Sequence, residues 1–245
     1  MSLCKRGPVR LQNTGVERNF GGAFRSMPFC TMIKKYIEED THMGKYIITI
    51  SRQFGSLGRP IAKEMASILN VEYYDRYIVG KAANNMEMDI SEVENIEEAV
   101  TQKYKNMKFP FGKQTTEMQD SVFENQKKII LDLAEKEESC IIVGRCSDYI
   151  LRNYKNHLSI FVYAPYYERL KNCIDTLQLS PDDAKRTLDD VDAAREAYYQ
   201  HYAKTTMTDP SLRSLMIDSS ILGVEGTARL LVDFACQRFN LNTEK

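Results

Sequence analysis

The sequence predicts an α/β protein built on a parallel β-sheet whose two faces are covered by helices. Five short runs, the first of them rich in β-branched residues, are mostly apolar rather than alternating apolar and polar, which is typical of strands buried on both faces. Segments with apolar residues at helical spacing separate several of these runs, as in proteins that alternate strands and helices. The predicted strands are 46–50, 71–74, 140–143, 158–163 and 215–217.

The first predicted strand ends in a glycine-containing turn, and the turn opens a helix. Apolar residues after the turn recur at spacings of three and four, at Ile61, Met65, Ile68 and Leu69. The first N–H groups of a helix have no partner within the helix and lie at its positive end, so a phosphate can complete them. We therefore predict a strand, a phosphate-binding loop and a helix. The alternative is an ordinary turn between a strand and a helix.

Two further helices and one insertion complete the predicted domain. A helix from about residue 120 to 136 leads into the third strand, and a last helix, from 224 to about 239, covers the sheet. Residues 84–116 change from acidic to aromatic and basic. We predict that this segment is an inserted helical or irregular subdomain rather than part of the sheet.

The overall composition is that of an ordinary globular protein. Of 245 residues 43% are hydrophobic, and the formal net charge of -1 gives no indication of a nucleic-acid polymer as partner. No apolar run approaches the length of a membrane span, and the N-terminus lacks the apolar segment of a signal peptide. Six cysteines without a C-x-x-C pair favour reduced thiols, and three histidines make a histidine-based metal site unexpected. We therefore predict a cytoplasmic protein that does not bind membranes.

The first 44 residues differ in character from the rest of the chain. They carry Arg6, Arg10, Arg18 and Arg25 among Gly, Pro and Asn, without a sustained period. We predict a poorly ordered extension, or a start site placed too far upstream. A basic RNA-binding arm is the alternative. The folded domain is then expected over residues 45–240, followed by a short tail.

Charged and hydroxyl residues stand at the carboxyl ends of the predicted strands, where ligands bind in open parallel sheets. Arg145 directly follows a buried strand, where an unpaired charge is costly, so we expect either a phosphate ligand or an ion pair with Asp148 or Asp218. Asp75 either orients a phosphate or a metal-bound water, or caps the next helix. The strand ends are Ser51-Arg52, Asp75, Gly144-Arg145, Ala164-Pro165 and Asp218-Ser219-Ser220.

Six motifs in fixed order resemble the cytidylate-kinase-like family, and the likeness extends from about residue 44 to 239. They are ITISRQFGSLGR (48–59), YD (74–75), IVGRC (142–146), FVYAP (161–165) with Arg169, Asp192-x-x-Arg195-x-x-Tyr198-Tyr199, and DSSILGVEG (218–226). The resemblance implies a P-loop kinase fold with a five-stranded parallel core. It also implies a monophosphate-binding insertion at about 84–116 and a mobile lid at about 176–213.

The resemblance further implies ATP- and Mg²⁺-dependent phosphoryl transfer to a nucleoside monophosphate, with CMP or dCMP first among the acceptors. The donor phosphates are then expected at Gly55, Ser56, Gly58 and Arg59. The acceptor is expected at Asp75, Lys81, Gly144 and Arg145. Lid residues Arg186, Asp192 and Arg195 are expected to close on the ligands, with Arg59, Arg145 and Arg195 acting on the transferred phosphate.

The phosphate loop departs from the usual G-x-x-x-x-G-K-[ST] sequence. The residues Gly58, Arg59 and Pro60 supply neither its lysine nor its Ser/Thr. Arg59 can replace the lysine as a cation with five donors, whereas Pro60 removes both a backbone N–H and the usual Mg²⁺-binding hydroxyl. We therefore expect any hydroxyl ligand of Mg²⁺ to come from Ser56 or Ser51.

A second departure concerns the acceptor base. Cytidylate kinases have, after the Gly-Arg pair, an aspartate that contacts the cytosine amino group, whereas this chain has Cys146 and carries the nearest carboxylate on Asp148. Two alternatives to a cytidylate-type kinase therefore stay open. One is a kinase of the same fold for another small acceptor, and the other is a non-catalytic, nucleotide-binding regulatory module.

Overall fold

A five-stranded parallel sheet forms the centre of the computed structural model, which describes residues 44–93, 113–136 and 138–241. The strands are β1 (Ile47–Arg52), β2 (Glu72–Tyr74), β3 (Cys140–Val143), β4 (His157–Tyr163) and β5 (Leu215–Asp218). They lie in the order β2-β3-β1-β4-β5. The predicted fold class is thus confirmed, and each predicted strand is present within one or two residues of its expected bounds.

Helices flank this sheet. The 23-residue α6 begins after Ser180, whose hydroxyl accepts a hydrogen bond from the Asp183 N–H at 3.2 Å, with Pro181 at its first helical position. The helices are α1 (Gly58–Leu69), α2 (Arg76–Asn85), α3 (Lys113–Glu135), α4 (Ser147–Ile150), α5 (Tyr166–Asp175), α6 (Pro181–Ala203) and α7 (Gly223–Phe239). No helix among the described residues is long and apolar enough to cross a membrane.

The core lies on both faces of the sheet, which explains the continuous apolar strands. On one face Ile48 and Ile50 pack with residues of α1 and α7, such as Met65 and Leu231. On the other face Ile47 and Ile142 pack with α2 and α3. Every side chain of β3 is buried, as expected for a strand between two helical layers.

Strand order brings distant parts of the sequence together at one edge of the sheet. The central β1 pairs with β3 through Ile50 and Val143, and with β4 through Arg52 and Val162. Because all strands are parallel, the segments that follow β1, β3 and β4 leave from the same edge. The Gly144 N–H, at the end of β3, donates to the Ile50 carbonyl at 3.0 Å.

Several predictions of domain organisation fall on undescribed residues. The predicted extension (1–44), most of the predicted insertion (84–116) and the tail (241–245) lie largely outside the described ranges and stay predictions. The helix expected from about residue 120 begins at Lys113. The predicted lid contains α6, which contacts α3 through the stacked rings of Phe123 and Tyr202, with centroids 3.8 Å apart.

A histidine at the start of β4 is held in its neutral form. The His157 ring lies 2.7 Å from the Thr49 hydroxyl, across the β1–β4 pair. Burial lowers its pKa from 6.5 to about 4, although a hydrogen bond with the backbone of Leu151 raises it. The unfolded chain therefore binds the proton more readily between about pH 4 and pH 6.5. The stability that neutral His157 confers is present above pH 6.5 and is lost as the pH falls through this interval.

We expect the protein to lose up to about 2 kcal/mol of stability through His157 between pH 7 and pH 5. Urea unfolding at the two pH values measures this loss. In the His157→Gln variant, whose amide can still bond to Thr49, the difference between the two pH values should shrink by that amount. The exposed His201→Gln variant is the control and should behave as the parent. An unchanged pH dependence in His157→Gln would contradict the assignment.

Candidate active site

The turn after β1 leaves a row of backbone donors without acceptors. Gly55 has φ +74°, and a Cβ atom there would lie 2.7 Å from the Arg169 carbonyl oxygen, so the chain needs glycine at this point. Leu57 is also left-handed, and its carbonyl accepts from the Ile61 N–H at 3.1 Å. Within the described residues, no acceptor hydrogen-bonds the N–H groups of residues 55–59. Successive unpaired N–H groups of this kind can bind an anion.

Arg59, in the first turn of α1, reaches the end of β2. Its Nε lies 2.5 Å from Asp75 Oδ2, and its Nη2 donates to Oδ1 at 3.4 Å. The Tyr73 hydroxyl donates to the same carboxylate at 3.3 Å. One of the two roles expected for Asp75 is to cap α2, but its side chain makes no capping hydrogen bond to that helix. The carboxylate instead orients Arg59, whose side chain is 47% exposed and so accessible to a ligand.

The turn after β3 has an uncommon backbone. Gly144, Arg145 and Cys146 have successive φ values of 74°, 60° and 50°. A non-glycine residue in this region costs about 1 to 2 kcal/mol, so the fold stores strain at two adjacent positions. Strain of this kind is concentrated at sites that bind ligands. Here it fixes where the Arg145 side chain leaves the end of β3.

Four guanidinium groups, those of Arg52, Arg59, Arg145 and Arg195, lie within electrostatic range of one another at this edge of the sheet. Burial lowers the pKa of Arg195 to about 10, with Arg59 and Arg145 lowering it further and Asp192 and Asp75 raising it. Burial also lowers the pKa of Arg52, and Arg195, Arg145 and Arg59 add to the effect. We call these four residues the arginine cluster. Such a concentration of positive charge favours a polyanionic ligand.

Helix α6 is tied to the turn after β1 by a clamp made of Asp192, Arg169 and Phe54. Asp192 accepts from the Phe54 N–H at 2.7 Å and forms an ion pair with Arg169. Arg169 also donates to the Phe54 carbonyl at 3.1 Å and to the Ala164 carbonyl at 3.1 Å. One helical turn further along α6, Arg195 donates to the Arg52 carbonyl at 3.2 Å. Helix α6, which the sequence predicts to be part of a lid, therefore contacts the candidate phosphate loop directly.

Two of the predicted site residues stand apart from the contacts of the arginine cluster. Arg186 lies on the exposed N-terminal part of α6, where it pairs with Asp183. It is nine residues before Arg195, a separation of about 13 Å along a helix. Lys81 lies half-buried on α2, about one and a half turns after the helix begins at Arg76. Their expected roles at the lid and the acceptor stay predictions.

Both serines expected to bind Mg²⁺ are buried. Ser56 is fully buried, and its hydroxyl donates to the carbonyls of Gln53 at 2.9 Å and Val162 at 3.2 Å. Ser51 is buried within β1. No group of three metal-ligating side chains occurs in the described part of the chain. The Ser56 hydroxyl thus holds the loop to the ends of two strands, and the expected role of the two serines toward Mg²⁺ stays a prediction.

The residues considered for contact with an acceptor base face the protein interior. Cys146 is buried in an aromatic cluster with Phe161 and Tyr199, and this burial raises the pKa of its thiol. Asp148 forms a fully buried ion pair with Arg213 and accepts from the Tyr199 hydroxyl at 2.7 Å. Asp148 is therefore not the partner of Arg145 that the sequence allowed, and its Oδ2 is committed to these two groups.

Sequence reasoning missed three of the arginines that organise this region. Arg52 was noted only as a strand-end residue, Arg169 only as part of a motif, and Arg213 not at all. A charged residue that ends an apolar strand directly before a glycine turn is a usable signal for Arg52. No local signal exists for Arg213, because its partner Asp148 lies 65 residues away.

These features define an α/β protein with the fold of P-loop kinases and a cationic site at the carboxyl end of its sheet. Residues 47–221 match the cytidylate kinase-like family, and the chain belongs to that family. The resemblance seen in the sequence motifs is thus confirmed. A comparison with curated proteins finds no match.

Solved structures similar to this chain are only distantly related in sequence. An uncharacterized protein from Eubacterium ventriosum is similar over 81% of this chain and 100% of its own, with 20% identity and a TM-score of 0.56. At that identity the likeness shows the fold alone. Shikimate kinase from Bacteroides thetaiotaomicron has a TM-score of 0.48 and 12% identity, covering 80% of this chain and 99% of its own. Shikimate kinase from Acinetobacter baumannii has a TM-score of 0.42 and 13% identity, covering 82% of this chain and 96% of its own.

Removing the clamp should destabilise the fold and release the loop. In Asp192→Ala the largely buried Arg169 loses its carboxylate, which we expect to cost about 3 kcal/mol of unfolding free energy. The Phe54 amide loses its acceptor, so its hydrogen exchange should become faster. Urea unfolding and hydrogen exchange measure the two effects. The exposed Asp189→Ala, on the same helix, is the control; equal unfolding midpoints for the two variants would show that the clamp contributes nothing.

Proposed function

We propose that the protein is an ATP-dependent phosphotransferase whose acceptor is itself phosphorylated, with a nucleoside monophosphate, CMP or dCMP, as the first candidate. The observation that carries this proposal is the arginine cluster at the end of the sheet. Four guanidinium groups lie within electrostatic range of one another there, and the carboxylates of Asp75 and Asp192 offset part of their charge. Membership of a cytidylate kinase-like family supports a phosphotransferase.

The charge balance favours two phosphorylated ligands over one. Phosphoryl transfer depends on holding donor and acceptor in line and on neutralising charge on the moving group. In our proposal the turn N–H groups and Arg59 hold the donor phosphates, while Arg145 holds the acceptor phosphate and Arg195 closes from α6. An oxygen of the acceptor phosphate forms a new bond to the γ-phosphorus. The bond from that phosphorus to the β-phosphate oxygen breaks, and its electron pair leaves with ADP.

The proposed reaction needs no general base, because the acceptor phosphate oxygen is ionised at neutral pH. Mg²⁺ would enter as the ATP complex, in which phosphate oxygens and water molecules supply its ligands. Its contribution would be to neutralise charge on the donor phosphates. A cytoplasmic location, where ATP is abundant and thiols stay reduced, is part of the proposal.

The described residues near Arg145 do not provide the carboxylate that would contact a cytosine base. Cys146 has no carboxylate and is buried among aromatic rings. The carboxylate of Asp148 is paired with Arg213, so it is not available to the amino group of a cytosine ring. A kinase of the same fold for another small acceptor is therefore the second candidate. A non-catalytic nucleotide sensor is the third, because Arg59 and Pro60 replace the usual loop residues.

The first test is ADP release from Mg²⁺-ATP with CMP, dCMP, UMP, AMP, GMP and dTMP, each compared with no acceptor. We expect stimulation by at least one pyrimidine monophosphate. A flat panel with measurable ATP binding would rule out the nucleoside-monophosphate acceptors. The same assay with shikimate and with sugar phosphates then separates a kinase for another acceptor from a sensor.

Two single substitutions should separate donor from acceptor binding. Arg59→Ala should lower the rate at saturating acceptor by about 100-fold or more, because a contact to the transferred phosphate is lost. Arg145→Ala should instead raise the KM for the acceptor by about 10-fold or more, with the KM for ATP changed little. Arg229→Ala, on the exposed face of α7, is the control for both. Unchanged acceptor kinetics in Arg145→Ala would contradict its role.

A further inference from the structure

Arg52 is the last residue of the central strand and stands between the two halves of the candidate site. Its neighbours across the sheet belong to β4 on one side, while β3, on the other side, leads into Gly144 and Arg145. Its own backbone carbonyl accepts the hydrogen bond from Arg195. The residue is therefore connected to the strand that enters the phosphate loop, to the turn after β3 and to the lid helix.

The Arg52 side chain passes close to two glycines, Gly58 and Gly144. Its Cβ and Cγ lie 2.8 and 3.0 Å from where a Cβ atom on Gly58 would be, at the start of α1. Its guanidinium crosses Gly144, where an added Cβ would collide with Nη1 and lie 3.3 Å from Cζ. Glycine at both positions gives the side chain room to pass from the donor loop to the turn that carries Arg145.

The charge of Arg52 is not neutralised by a direct partner. Among the described residues, no hydrogen bond or ion pair involves its guanidinium. The nearest carboxylate, Asp75, is already bound by Arg59 and Tyr73. Burial and three neighbouring arginines lower the pKa of Arg52, which shows how unfavourable its charge is in this environment. A half-buried cation without an acceptor is costly unless a ligand supplies one.

We propose that Arg52 binds the phosphoryl group while it moves from ATP to the acceptor, and so takes the part of the lysine that the loop lacks. This inference rests on the proposed function. A planar guanidinium has two edges of parallel N–H groups that can each bind an oxygen pair, so it can bridge the donor and acceptor phosphates with a fixed geometry that the flexible ammonium of a lysine does not impose. Arg52 stays protonated throughout, and no proton moves in the step. Arg59, which is paired with Asp75 and about half exposed, keeps its proposed contact with the donor phosphates, the transferred one included.

Kinetics of Arg52→Met and Arg52→Lys test the proposal. We expect Arg52→Met to lower kcat by about 100- to 1,000-fold and to raise the KM for ATP by about 10-fold, because the contact is made to the polyphosphate of ATP and is strongest in the transition state. Arg52→Lys should recover part of the loss. Arg229→Ala is the control. Parent-like kcat in Arg52→Met, with the parent protein active, would overturn the role of Arg52 while leaving the proposed function intact.

A second measurement does not require turnover. Inorganic tripolyphosphate, followed by calorimetry without added metal, should bind the parent protein at least about 10-fold more tightly than Arg52→Met. In the absence of ligand, Arg52→Met should unfold at an equal or higher urea concentration, because a repelling charge is removed. A purely structural role for Arg52 predicts the opposite, a lower midpoint. If Arg52→Met does not fold, that result itself contradicts the proposal.

The two measurements also separate failure of the inference from failure of the proposed function. A parent that shows no activity with any acceptor, but binds tripolyphosphate through Arg52, would refute the phosphotransferase and keep Arg52 as an anion-binding residue. A parent that binds no tripolyphosphate would overturn both. Equal tripolyphosphate binding by the parent and Arg52→Met would overturn the inference alone.

Discussion

Repulsion among four guanidinium groups at one end of β1 is the constraint on which the candidate site depends. Folding brings these groups together because β1 is central and its neighbours on both sides are parallel to it. Of the carboxylates nearby, Asp75 pairs with Arg59, whereas Asp192 pairs with Arg169, which lies outside the cluster. The four cluster arginines therefore carry more positive charge than these two carboxylates offset. A ligand with several negative charges relieves that repulsion, so ligand binding and stability are coupled at this site.

The sheet could be predicted from sequence because its strands obey one simple rule. A strand covered by helices on both faces is apolar along most of its length, and the central runs 46–50, 140–143 and 158–163 meet that condition apart from Thr49 and Ser159. The start of α3 could not be placed as well. Its first turn, from Lys113, carries polar residues that have no apolar period, so helical spacing becomes visible only near residue 120.

The site was only partly predictable, for reasons of distance along the chain. Residues that end a strand or open a helix, such as Arg59 and Arg145, carry a local signal. The contact of Arg52 with Gly144 depends on strand order, which joins segments about 90 residues apart, and periodicity contains no information on that order. The left-handed backbone at Arg145 and Cys146 was likewise unpredictable, since neither residue type favours it.

The buried pair of Asp148 and Arg213 has a consequence for how the chain can vary. Both side chains are almost fully removed from solvent, and Arg213 also contacts the rings of Phe161 and Tyr199. Replacing one member alone leaves an isolated charge in the interior, whereas replacing both with apolar residues of similar volume does not. Positions 148 and 213 should therefore change together among relatives of this chain. That covariation would link the turn beside the candidate acceptor site to the segment that enters β5. These two regions are 65 residues apart, and no contact between neighbours in the sequence would make them covary.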